Sequence, residues 1–130
     1  MSSQSKLRNI PIDEVELDLE NPRIAQWIAF YGDKPNAEQI AMALGLGEKP
    51  SESNPTTFLS LKASIRTHKG IIHPIIVNET NENHYVVIEG NTRVAIYREF
   101  IEKNIAGDWE TIPAMIHNNL PRQEIDVIFH

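Results

Sequence analysis

The sequence predicts a small α+β domain, and three observations carry that prediction. Helical and strand-like patterns are interleaved within 130 residues, a length that suits one domain and can bury a core without staples. Two apolar runs, "HPIIVNE" and "HYVVIEG", are separated only by the turn-like "TNEN", as in a hairpin. Directly after them, "NTRVAIYREFIEKNIAG" changes to the three- and four-residue spacing of a helix.

The elements follow in order. Residues 1–7 read as a polar tail. "NIPIDEVELD" carries Ile10, Ile12, Val15 and Leu17 around an acidic pair and reads as a short strand with a bend. "LENPRI" is a turn, because Pro22 biases Asn21 toward extended backbone. Residues 24–56 hold two helical patches separated by Gly32-Asp33-Lys34-Pro35. Asn36 suits the cap of the second patch, and Gly45 or Gly47 its end. Trp27, Ile28, Phe30 and Tyr31 read as core before partner surface. "GEKPSESNP" is the most loop-like segment.

"TTFLSLKASIRTHKG" spaces Phe58, Leu61 and Ile65 for a helix, places basic residues in the last turn, and offers Gly70 as a left-handed cap. The helix from residue 91 puts Val94, Tyr97, Ile101 and Ile105 on one face and ends at Gly107. "TIPAMIH" is a further strand. "NNLPRQEIDVIFH" starts a helix near Pro121 whose apolar face, Ile125, Ile128 and Phe129, has only begun at the last residue. That points to a piece of a longer chain; a short helix docked on the core is the alternative.

Composition removes several function classes. With no cysteine there is no disulfide, thiolate zinc site or cysteine nucleophile. No apolar run approaches the roughly 18 residues of a membrane span, and the N-terminus lacks the apolar core of a secretory signal, so a cytoplasmic location is the default. A formal net charge of -6 argues against a surface that is wholly a nucleic-acid footprint. A local basic patch at Lys62, Arg66, His68 and Lys69, with Arg93 and Arg98, is equally well read as a solvated helix face. The five histidines show no zinc-site spacing. The acidic run from Asp13 to Glu20 suits a solvated strand edge.

The chemistry concentrates at "VIEGNTRV". A strand that turns at a glycine into a helix aims unsatisfied N–H groups and the positive helix end at one point, which binds anions. Gly90 allows close approach or positive φ, Asn91 or Thr92 can cap the helix, the Thr92 hydroxyl can reach a phosphate, and Arg93 offers a bidentate fork. An ordinary capped helix with Arg93 in solvent explains the same residues. Strict alternation puts Glu89 on the side of Val87, partly shielded from water, where it could bind Mg²⁺, act as a general base or pair with Arg93.

In this order, "LENPR", "LKASIRTHKGIIHPIIV", "YVVIEGNTRVAIYR" and "IPAMI" resemble the ParB/sulfiredoxin superfamily, over about residues 8–117 apart from the insertion at about 24–56. The resemblance implies a small mixed sheet with packed helices that binds a nucleotide, CTP or ATP, with Mg²⁺. Phosphates would lie on Gly90, Asn91, Thr92 and Arg93, with Arg23 of "ENPR" facing them unless it pairs with Glu20. Thr67, His68, Lys69, Gly70 and Pro74 would line the pocket toward the base or sugar. Members act as DNA-associated switches, as kinases, and under the name of ParB-like nucleases. This chain departs from the ParB Gly-Glu-Arg-Arg turn, with Asn91 and Thr92 replacing Glu and the first Arg, and it lacks the sulfiredoxin cysteine, which would stand at Asn91. Three readings follow: a nucleotide-binding regulatory domain of a larger DNA-associated protein, an enzyme using Glu89, and a scaffold that has lost the nucleotide.

Overall fold

The computed structural model describes residues 5–18, 25–26, 28–29, 32, 35–47 and 55–129. Arg23, Trp27, Phe30, Tyr31 and the 48–54 part of the expected loop lie outside them. The chain builds β1 (Lys6–Pro11), a 3-10 turn (Ile12–Glu14), β2 (Val15–Glu16), α1 (Ala37–Gly47), α2 (Pro55–His68), β3 (Ile75–Asn81), β4 (His84–Glu89), α3 (Asn91–Glu102), β5 (Thr111–Asn118) and α4 (Arg122–Phe129). The fold is α+β. The five strands form one mixed sheet in the order β1-β5-β3-β4-β2. The expected hairpin is present as the antiparallel β3–β4 pair, while β5 lies parallel to β3 and β2 parallel to β4.

One connection shapes the sheet. β1 and β2 occupy its opposite edges, yet only residues 12–14 separate them. Five flat strands would hold the edges about 19 Å apart, whereas the four Cα steps from Pro11 to Val15 span at most about 14 Å. The sheet therefore coils until its edges approach, the direction in which strand twist already drives it. Two long side chains use that closeness. Arg98 of α3 donates to the carbonyls of both Ile12 and Val15, and Arg8 of β1 donates to the Tyr85 hydroxyl of β4 at 2.7 Å. Burial lowers the Arg98 pKa, opposed by Asp13, so this arginine seals the bend rather than contributing to a basic patch.

The concave face carries Ile10, Ile112, Ala114, Ile75, Val77, Tyr85 and Val87, all buried against the helices. α3 is central. It packs on α1 as well as the sheet, so Val94, Ala95, Ile96, Tyr97, Glu99 and Phe100 are all buried, while Ile101 is exposed. The other sheet face is covered in part by α4, where Leu120 and Ile125 meet Ile76 and Ile88. Asn78 fixes the approach to α4 by donating to Leu120 O at 3.0 Å and accepting from Leu120 N–H at 2.9 Å.

Most local expectations hold, with four adjustments. β1 starts at Lys6, so Lys6 and Leu7 belong to the sheet and not to a tail. Asn36 caps α1 as expected, inside a reciprocal box with Gln39 (2.8 and 2.9 Å). α1 supplies Ala41 and Leu44 to the main core, and Ile28 packs against it. α2 buries Phe58 and Ile65 but leaves Leu61 exposed. α3 ends at Glu102 and not near Gly107, because Asn104 enters the left-handed region (φ 56°) and a Schellman pair closes the helix, Asn104 N–H to Ile101 O and Ile105 N–H to Phe100 O.

At the end of α2 the left-handed cap is Lys69 (φ 56°), not Gly70; the Gly70 N–H reaches back to Ile65 O at 3.1 Å. A non-glycine residue there costs about 1–2 kcal/mol. Lys69→Gly should therefore raise stability by about 0.5–1 kcal/mol once the entropy of unfolded glycine is subtracted, read as a higher midpoint in thermal melting.

Candidate functional site

The turn at residue 90 is built by three local decisions. A β-bulge interrupts the β3–β4 register, where Ile76 pairs with Glu89 but Val77 pairs with Val87. Gly90 then adopts φ 115°, and α3 starts at Asn91 with no side chain capping it. Val94 N–H to Gly90 O is the first bond of the helix, which leaves the preceding N–H groups without intrahelical acceptors. A Cβ at Gly90 would lie 2.6 Å from Ile75 Cγ2 and 3.2 Å from Arg93 Nη2, so the turn is pressed onto the start of β3 and under the Arg93 guanidinium.

The bulge also overturns the placement of Glu89. Alternation predicts that it shares the shielded side of Val87, but the extra residue breaks the alternation, and Glu89 is exposed. With its carboxylate in water, Glu89 lacks the shielding that singled it out.

Asn91 and Thr92 do not cap the helix. Asn91 is buried, and its carboxamide is taken up by the backbone of Asp18, accepting from its N–H at 3.0 Å and donating to its carbonyl at 2.8 Å. With Arg98 two turns further on, Asn91 straps the 12–18 segment to α3. Thr92 is buried with its hydroxyl lacking a hydrogen-bond partner. A buried hydroxyl at the first turn of a helix is an unsatisfied polar group of the kind a ligand oxygen can pair.

Arg93 joins the two halves of the predicted set. Its guanidinium donates to His73 O at 2.5 Å and Pro74 O at 3.3 Å, so it lies on the loop that precedes β3. Gly90, Arg93 and Pro74 therefore come together. Thr67, His68 and Lys69 lie at the far end of that loop, all exposed; the His68 ring is engaged with Ser64, Nδ1 lying 2.9 Å from its carbonyl oxygen. Gly70 sits over the Tyr97 hydroxyl, 3.7 Å from where its Cβ would be. Burial raises the Tyr97 phenol above its ordinary pKa of 10.0, opposed by a hydrogen bond with the Ile71 backbone and by the Arg93 charge.

Sequence reading missed Tyr97, Glu99 and the Asp18 contact. Tyr97 was visible only as a member of an apolar face, and nothing in its spacing advertises the hydroxyl. Among the described residues, concavities also lie outside the predicted set, including one of about 330 Å³ lined by Glu79, Thr80, Asn81, Glu82, Asn118 and Asn119. Another of about 450 Å³ runs past Asp13, Glu14, Glu16, Ile40, His84 and Arg98. One of about 180 Å³ lies under α4 beside Asp18, Asn78, Val86 and Leu120. Among the described residues, no group of three or more His, Asp or Glu side chains could hold a metal ion by itself, and no helix is long and apolar enough to cross a membrane.

The nucleoid occlusion protein of Lysinibacillus sphaericus (strain C3-41) is 31% identical over 81 residues, which is 52% of this chain and 24% of that protein. The chain thus spans about a quarter of the length of that relative. Among solved structures, the C-terminally truncated chromosome-partitioning protein ParB from Caulobacter crescentus, complexed with CTP-γ-S, aligns with 94% of this chain and 49% of its own at 18% identity and a TM-score of 0.49. The model of the ParB N-terminal domain family matches residues 49–128, from the end of the 24–56 segment into α4 and across every residue of the Gly90 turn. Since that match covers more than half of the sequence, the chain belongs to the ParB N-terminal domain family.

Proposed function

We propose that this domain binds a nucleoside triphosphate, CTP or ATP, and acts as a regulatory switch in a larger, cytoplasmic, DNA-associated protein. The observation that carries the reading is the uncapped start of α3 behind a glycine at φ 115°, with the partnerless Thr92 hydroxyl in its first turn. Phosphates would accept from the first N–H groups of α3 and from Thr92. Arg93, which has five donors, would add charge from the loop side. The base would lie toward Thr67–Pro74. Mg²⁺ fits only as an ion carried on the phosphates, which is how Mg²⁺ is usually held; Glu89, exposed beside Gly90, would be the carboxylate at hand. Arg23 would close the phosphates from the "ENPR" side.

Membership in a family with DNA-associated relatives supports the larger setting. DNA contacts would fall to segments beyond this domain, given the net charge of -6. One observation favours the scaffold reading: Asn91 is already paired with Asp18, and Arg93 already donates to loop carbonyls. In that reading the turn is a structural joint without a ligand.

Calorimetric titration with CTP, ATP and GTP, with and without Mg²⁺, separates the two. Saturable binding of one nucleotide is expected, weakened about 10- to 100-fold in Arg93→Ala, as loss of a charged hydrogen bond implies. A cooperatively melting wild type that ignores all three nucleotides would sink the switch and leave the scaffold. Nucleotide turnover lost in Glu89→Gln with binding retained would restore the enzyme reading.

A further inference from the structure

The loop between α2 and β3 is held from a single helix. Arg93 takes the carbonyls of His73 and Pro74, and one turn later the Tyr97 hydroxyl lies beneath Gly70, 3.7 Å from where its Cβ would be. The Ile71 side chain packs on the core beside them, whereas Ile72 is 74% exposed. Tyr97 itself is 2% exposed and stacks edge-on against Trp109 at 5.1 Å and 77°. Phenylalanine would fill the same space and keep the same stacking. The hydroxyl therefore has no packing purpose, and burying it costs free energy unless it is bonded. What lies against it is the loop at Gly70.

We infer that Tyr97 is a positioning residue for the nucleoside half of the site: through its hydroxyl, α3 sets the Gly70–Pro74 loop at a fixed distance from the phosphate turn that begins the same helix. This rests on the nucleotide reading above. A nucleoside triphosphate must satisfy the turn and the loop at once, so a loop held in place lowers the ordering cost of binding it. Inorganic tripolyphosphate touches only the turn and gains nothing from the brace.

Two measurements on Tyr97→Phe test this. The first, amide hydrogen exchange without nucleotide, should show rates at residues 70–73 rising about tenfold while the rest of α3 and the sheet stay as in the wild type. The second, titration with CTP or ATP beside inorganic tripolyphosphate, should show nucleotide affinity falling about three- to tenfold, as expected for one hydrogen bond, and tripolyphosphate affinity staying within twofold. Unchanged exchange at 70–73 overturns the brace whatever the titration gives. Faster exchange with equal losses for nucleotide and tripolyphosphate, or with neither lost, overturns the positioning role. A wild type that binds no nucleotide overturns the nucleotide reading and, with it, the role assigned to Tyr97, even if the loop loosens.

Discussion

Replacing Gly90 with alanine is expected to cost about 3 kcal/mol of stability and to abolish anion binding at the turn. Two separate terms add. A backbone held at φ 115° is strained for any L side chain by about 1–3 kcal/mol. The new Cβ would also stand 2.6 Å from Ile75 Cγ2, and forcing a methyl into a packed site costs about 1–3 kcal/mol more. Urea denaturation measures the total, and two companion variants separate the terms. Gly90→Asn tolerates positive φ better but carries the same Cβ, so it should recover only part of the loss. Gly90→Ala with Ile75→Ala removes the Cγ2 contact but keeps Ile75 Cβ at 2.9 Å and the backbone strain, so the coupling between the two sites should be favourable but recover only part of the loss. If Gly90→Ala costs less than about 1 kcal/mol, the turn is more pliable than its geometry indicates, and a rigid anion cradle there is untenable.

The second large effect is expected at Glu99, which is 1% exposed among three helices. One carboxylate oxygen meets Lys62 Nζ of α2 at 2.6 Å and Lys103 Nζ at 3.3 Å, and Lys103 continues to Glu38 of α1; the other oxygen has no hydrogen-bond partner. Removing one member of a buried ion pair costs about 3–5 kcal/mol, because it strands the other charge. Lys62 is 21% exposed and Lys103 remains, so Lys62→Met should cost about 2 kcal/mol, below that range. Lys62→Met combined with Glu99→Leu should return to within about 1 kcal/mol of the wild type, since an apolar pair of similar volume replaces a buried ion pair at little cost. A strictly additive double variant would show that the two side chains do not act as a pair.

The rim of the same network gives an acid sensitivity. The hydrogen bond from Lys103 holds the Glu38 carboxyl below its ordinary value of 4.5. Its contribution is therefore complete above about pH 4.5 and is lost as the pH falls through the lowered value. Glu38→Gln should flatten that part of the stability–pH curve while leaving neutral-pH stability little changed, because the pair is largely exposed.

Much of this molecule was legible in its amino-acid order because local rules are enough for it. The hairpin follows from two apolar runs and a turn, the start of α3 from a strand that meets Gly90, and the cap of α1 from Asn36. The proposal of an anion site at "GNTR" likewise started from sequence, since a glycine between strand and helix predicts a backbone that can approach an anion. What tertiary structure alone decided are the matters settled by partners distant in the chain. A one-residue bulge opposite Ile76 turned Glu89 into water, and no reading of alternation along one strand can contain its partner's register. Asn91, Arg93 and Arg98 were committed to the backbone of Asp18, of His73 and Pro74, and of Ile12 and Val15, segments up to 86 residues away. Glu99 was drawn inside because α3 is enclosed by the sheet and by α1, so the face that periodicity assigns to solvent lies against another helix. Side-chain type and spacing determined which groups could do chemistry here; the coiled sheet, by bringing its own edges together around α3, determined which of them are already in use.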